Sequence, residues 1–150
     1  MNIIKYWNTF IKNNPSYKDF NYDSWSYGVD ADLLAELTLN GVKTATASLF
    51  DLYGLENEEL PKNGQISIIL DSSETKPICI IQTTKVSIVP FRDVDEDHAL
   101  KEGEGDRSLA YWRAVHKTFF EECIKDTSLD FTEDSLVVLE EFEVIYRQEN

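Results

Sequence analysis

A chain of 150 residues that is 42% hydrophobic and 12% aromatic has the material for one domain, residues 1–150, whose core needs neither disulfide nor metal. Its formal charge of -14 makes the surface as a whole repel phosphate, which excludes tight binding of long duplex nucleic acid and confines any nucleic-acid contact to a local basic spot. Cys79 and Cys123, the only two cysteines, lie in apolar stretches without the spacing of a zinc knuckle or a redox pair, so both are expected as reduced core thiols in the cytoplasm.

Ile3, Ile4, Trp7, Phe10 and Ile11 recur at helical spacing and the pattern stops at Asn13, Asn14 and Pro15, which predicts a helix over residues 2–13. The same stretch lacks the features of an export leader, and no segment approaches the roughly 20 apolar residues of a membrane span. Residues 16–28 carry five aromatics among Ser, Asp and Gly with no sustained period, which predicts an ordered loop over the core. A second helix is expected from Asp30 as N-cap, through Leu33, Leu34 and Leu37, to closure at Asn40 and Gly41. Beyond it, residues 43–50 tolerate a strand, and residues 65–70, 77–89 and 136–147 are rich in β-branched side chains. The first two of these are joined by a hairpin-like 70–77, and 60–65 reads as the turn that delivers the chain to them, so an antiparallel meander is expected. Residues 93–107 form a charge-dense run broken by apolar residues and glycines, expected as a structured acidic connection. A last helix, from about Arg107 to Ile124 with Asp106 as N-cap, places Leu109, Trp112, His116, Phe119, Phe120 and Cys123 on one face that must be buried.

Two stretches carry the residues that chemistry needs. In residues 40–50, Lys43 follows Gly41 and sits among Thr44, Thr46 and Ser48; a desolvated lysine beside a hydroxyl serves as a base or holds a developing oxyanion. A fully extended chain would point Lys43 and Thr46 to opposite faces, so a Lys43 to Thr46 hydrogen bond requires a turn that feeds a strand. The same residues also suit a plain helix cap, a solvated lysine and an edge strand. In residues 98–116, glycines alternate with Glu102 and Glu104 just ahead of a helix; bent backbone there can present amides to an anion, and either carboxylate can act as general acid or base. A helix-entry loop with acids at the positive helix end accounts for the pattern equally well. Without arranged His or Cys partners these acids predict no metal site. His98 is expected to pair with a carboxylate, and His116 to be a hydrogen-bonded core residue or pocket lining. Trp25 and Tyr27 suit either the core, a lid, or stacking on a base.

Taken together, the aromatic-Gly segment 25–28, residues 34–48, the strand entry 60–70, the long block 79–120 with its EGEGDRSLAYWRAVHKTFF, and residues 136–146 resemble the ASCH domain family, in its longer bacterial type, within the PUA-like superfamily. The resemblance implies an α+β fold: a small, mixed, mainly antiparallel β-barrel flanked by helices, with a cleft where the lysine turn meets the Glu-Gly segment. By similarity to a branch that deacetylates acetylated cytidine, Lys43, Thr46 and Glu102 take the catalytic positions, with Lys43 activating Thr46 or a water and Glu102 exchanging protons. Tyr27, Thr44, Ser48, Glu104, Arg107, Ser108 and His116 are the accompanying candidates for substrate contact. The implied activity is a metal-independent hydrolase, without cofactor, acting on a modified nucleoside or short single-stranded RNA. A noncatalytic RNA-binding module using the same cleft and an acidic protein-interaction domain are the alternatives.

Overall fold

The computed structural model of the chain describes residues 2–148. Helix α1, Ile3–Asn13, is capped by Asn2, whose side chain accepts from the Lys5 amide, a contact worth about 1 kcal/mol. It buries Tyr6, Trp7 and Phe10 against Ile66, Ile68, Leu70 and Ile80, as its spacing predicts. The aromatic segment that follows is more regular than expected. After a 3-10 turn, Pro15–Tyr17, it forms strand β1, Tyr22–Trp25, which pairs parallel to β3, Ile66–Leu70. Four residues are too few to show a period.

Helix α2, Ala31–Leu39, starts at Asp30, but Asp30 is left-handed and its side chain caps nothing. The exit is as expected, with Gly41 at a φ of 77°. Strand β2, Ala45–Leu49, then runs directly into a short helix α3, Phe50–Leu55, that the β-tolerant sequence does not announce. The β3 strand, β4 (Pro77–Pro90) and β5 (Leu136–Tyr146) form the expected antiparallel meander. The complete order is β1-β3-β4-β5-β2.

This sheet is open, so the closed barrel expected from the resemblance is not formed. Its edges, β1 and β2, are short and pair with β3 and β5 respectively, not with each other. Register shifts in β4 between Ile80 and Ile81 and between Thr83 and Lys85 mark bulges, which bend a strand and increase its twist. Both edges line one cavity, together with Tyr53, Glu58, Glu59 and Pro61 from α3 and the loop after it. A pocket occupies the place of the missing strand pair.

The acidic run contains helix α4, Glu96–Glu102, capped by Asp95 and closed by Gly103 at a φ of 70°. Helix α5, Leu109–Ile124, starts one cap later than expected. Ser108 accepts from the Tyr111 amide, while Asp106 accepts from the Ser108 amide and stays outside the helix. Trp112, His116, Phe120 and Ile124 are buried, Leu109 and Phe119 partly so, but Cys123 is exposed. Ile124, one residue on, takes the inner position. Cys79 is a buried free thiol, and burial pushes its pKa up to about 12. Among the described residues no helix is long and apolar enough to cross a membrane.

Candidate active site

Lys43 enters the cavity because the α2 exit turns the chain sharply. The amides of Val42 and Lys43 both donate to the Leu37 carbonyl, and the Thr44 amide donates to the Lys101 carbonyl of α4. That last bond ties the lysine turn to the end of the acidic helix. Gly103 makes the approach possible, since a Cβ there would lie 2.5 Å from the Val42 carbonyl oxygen. Two sequence segments that are far apart in the chain are thereby held backbone to backbone.

The Lys43 side chain is 1% exposed. Its Nζ donates to Glu104 Oε2 at 2.9 Å and to Glu102 Oε1 at 3.1 Å, and reaches the Glu102 carbonyl only at 3.5 Å. The ammonium lies 5.3 Å from the centre of the Tyr27 ring, and the Tyr27 hydroxyl is paired with Thr38 at 2.7 Å. The turn feeding a strand is present, but the ammonium goes to carboxylates and not to the Thr46 hydroxyl. Charge attraction at buried range outweighs what a neutral hydroxyl offers.

Glu102 is as enclosed as Lys43. Oε1 faces Lys43 and, at 3.4 Å, His116 Nε2; Oε2 pairs with His98 Nε2 at 2.7 Å and accepts from Trp112 Nε1 at 2.5 Å. His98 therefore has the carboxylate partner expected. His116 Nδ1 lies 2.9 Å from the Trp112 carbonyl, and since a carbonyl only accepts, Nδ1 carries a proton. The His116 ring stacks on Trp112 at 4.2 Å. Burial alone would raise the Glu102 carboxyl, but the Lys43 charge and the His116 and His98 bonds outweigh it and hold the group well below its usual range. Glu104 moves the opposite way. Its burial, with a contribution from the Glu102 charge, raises it despite Lys43.

The cavity measures about 380 Å³, within the range of small-molecule sites. Lys43, Thr46, Ser48, Tyr27, Glu102 and Glu104 all line it. Other candidates stand apart. Thr44 bonds the Lys101 carbonyl, Arg107 is exposed and donates to the Leu100 carbonyl, and Ser108 is the α5 cap. His116 sits behind Glu102 and does not reach the lining. Sequence reasoning missed Tyr53, which is 2.7 Å from Ser48, and Glu140, which accepts from Thr83 at 3.3 Å and is raised by burial. An acidic residue at an inward position of β5 was the available signal for Glu140. Asp23, Glu58, Glu59, Glu102, Glu104 and Glu140 line the cavity against one lysine, so the pocket is acidic like the rest of the chain. Glu102, Glu104 and His116 bring polar atoms within 4.8 Å of one another, a spacing that suits a cation, and the cation between the two carboxylates is the Lys43 ammonium.

The family model for the ASCH domain matches residues 23–146. An ASCH domain from Lactobacillus crispatus JV V101 is similar at 35% identity over 96% of this chain and 92% of its own, with a TM-score of 0.86. A protein from Enterococcus faecalis V583 is similar at 37% identity over 99% of this chain and 97% of its own, with a TM-score of 0.84. A hypothetical protein with 16% identity, over 83% of this chain and 100% of its own, has a TM-score of 0.55 and shares the fold alone. A search among curated proteins finds no match.

Proposed function

The chain belongs to the ASCH domain family, and from that premise we propose that it is a metal-independent hydrolase that cleaves the amide of a small modified nucleoside, of the kind acetylated cytidine represents. The observation that carries the reading is the convergence of Lys43, Thr46, Glu102 and Glu104 on one cavity of nucleoside-binding size. Lys43 is its electrophile. An ammonium clasped by two carboxylates only donates, and its third N–H is held only by the distant Glu102 carbonyl, so it is free to turn to a substrate carbonyl oxygen. Negative charge that develops there is stabilised in a sheltered site. A water, or the Thr46 hydroxyl, attacks the carbonyl carbon while a carboxylate of the Glu102 and Glu104 pair takes its proton and returns it to the leaving amine.

The acidic lining favours an uncharged nucleoside over an RNA strand, because six carboxylates against one lysine repel phosphodiesters. Exocyclic amines and sugar hydroxyls, being donors, match such walls. Arg107, the cation that an RNA grip would use, lies outside the cavity. Incubation with acetylated cytidine as the free nucleoside, and with single-stranded RNA, tests the reading by chromatography of the products. Release of acetate from the nucleoside that is lost in Lys43→Ala is the expected result; no hydrolysis, or equal hydrolysis by the variant, contradicts it.

A further inference from the structure

Within the hydrolase reading, on which this inference rests, we propose that Glu104 is the catalytic carboxylate that exchanges protons with substrate, and that Glu102 is a positioning residue that holds Lys43. The two acids are two residues apart yet have opposite surroundings. A carboxylate offers about four acceptor directions. Lys43, His98 and Trp112 occupy three of those of Glu102, at 3.1, 2.7 and 2.5 Å, the His116 ring closes off Oε1 with Nε2 at 3.4 Å, and the Glu102 side chain is 1% exposed. A proton moved onto it would have to displace a donor, and the Trp112 N–H cannot turn into an acceptor.

Glu104 is built differently. It lies between Gly103 and Gly105, both at positive φ, so the backbone swings its side chain away from the α4 axis and into the cavity wall. Its side chain is 14% exposed and, among the described residues, hydrogen-bonds only Lys43, through Oε2. Oε1 has no hydrogen bond among the described residues, and since no buried side-chain oxygen there lacks a partner, that atom is reachable from the pocket. The charged and titratable groups that face Glu104 are Lys43 from the α2 exit, Glu102 from α4, His116 from α5 and the Tyr27 phenol ahead of α2. Burial and the Glu102 charge raise Glu104 above the ordinary carboxyl value, which makes it a better proton acceptor than an ordinary carboxylate.

Water oxygen bonds to the amide carbon and gives one proton to Glu104, while the carbonyl π pair moves onto the oxygen held by Lys43. The oxyanion then reforms the carbonyl, the carbon–nitrogen bond breaks, and Glu104 returns its proton to the leaving nitrogen. Free amine and a carboxylic acid result, the acid loses its remaining proton to solvent, and Glu104 is again a carboxylate.

The test combines pH profiles of acetylated cytidine hydrolysis for the wild-type chain, Glu104→Gln and Glu102→Gln with carbon-13 NMR titration of the labelled glutamate carboxyls. We expect Glu104→Gln to lose roughly 100-fold or more in kcat and to lose the acid limb of the profile, with its circular dichroism spectrum unchanged. Glu104→Asp should retain that limb at reduced rate. Glu102→Gln should lower the melting temperature by roughly 10 °C while keeping the limb in whatever activity remains. In the NMR titration the Glu104 signal should move above the ordinary glutamate range and the Glu102 signal should stay flat across it. Retention of the acid limb in Glu104→Gln, or a raised titration of Glu102 in place of Glu104, overturns the assignment even if the chain is a hydrolase. A wild-type chain without hydrolysis overturns the functional reading and the catalytic role together, whatever the titration shows.

Discussion

Lys43 Nζ and Glu102 Oε1 lie 3.1 Å apart across 59 positions of sequence, both out of solvent. A buried pair of this kind is held by its additional bonds, because desolvation of two charges offsets much of their attraction. Here those bonds come from Glu104 to the lysine and from His98, Trp112 and His116 to the glutamate. The cluster therefore behaves as one unit, and removal of a single member exposes the others to an unpaired charge.

Lys43→Met is expected to destabilise the fold by about 3–5 kcal/mol, since it leaves the enclosed Glu102 with no full positive partner. Urea unfolding monitored by tryptophan fluorescence checks this, with Lys101→Met as a comparison. Lys101 is a solvent-facing lysine paired with Asp97 and Glu141, and its loss should cost far less, since solvent screens such pairs.

Trp112→Phe keeps an aromatic ring against Phe91 and His116 but deletes the indole N–H that meets Glu102. The expected cost is about 1.5–3 kcal/mol, the worth of a hydrogen bond to a charged group. Thermal unfolding measures it. An unchanged melting temperature would show that Glu102 does not depend on that donor.

Gly103→Ala is expected to separate the two halves of the site. Its φ of 70° is strained for an L side chain, and the added Cβ would meet the Val42 carbonyl at 2.5 Å. Left-handed strain alone costs about 1–3 kcal/mol, and the backbone must also retreat from the lysine turn. Amide exchange at Thr44, whose N–H donates to Lys101, should quicken in the variant while exchange in β3 does not.

The two glutamates set opposite signs of pH dependence. Glu102 is depressed from the ordinary value of 4.5, so its contribution is fully present above that value and is lost as pH falls through its folded-state pKa. Glu104 is raised, so what it contributes is present in acid and fades as pH rises through its folded-state value. Melting temperature should therefore rise as pH falls through the raised folded-state value of Glu104 toward the ordinary 4.5, and fall as pH drops further, below that ordinary value, through Glu102. Glu104→Gln should remove the first change and leave the second.

The parts of the molecule legible in the sequence are those where a period or a cap recurs over enough residues. The α1 stripe of Trp7 and Phe10, the Gly41 exit of α2, the β3 to β5 meander and the inner face of α5 all met that condition. The four residues of β1 and the six of α3 did not, and the α4 helix was hidden because its turn of acids reads as a structured acidic connection without a helical period. The barrel expectation failed for a long-range reason: whether two short edge strands meet depends on what lies between them. At the site, the closeness of Lys43 and Glu102 came from a resemblance between segments. The partner that Lys43 chooses was not legible, because it depends on how closely the glycine after Glu102 docks on Val42. The open glycine turn that frees Glu104 was visible as a pattern, and its direction was not.

A crystal structure of the Glu104→Gln variant soaked with acetylated cytidine reads the placement of the substrate at Lys43 and residue 104. The nucleoside is expected in the gap between β1 and β2, its amide carbonyl oxygen at about 3 Å from Lys43 Nζ, and its amide nitrogen facing residue 104. A nucleoside bound elsewhere on the chain, or seated in the gap with its carbonyl turned away from Lys43, would contradict it.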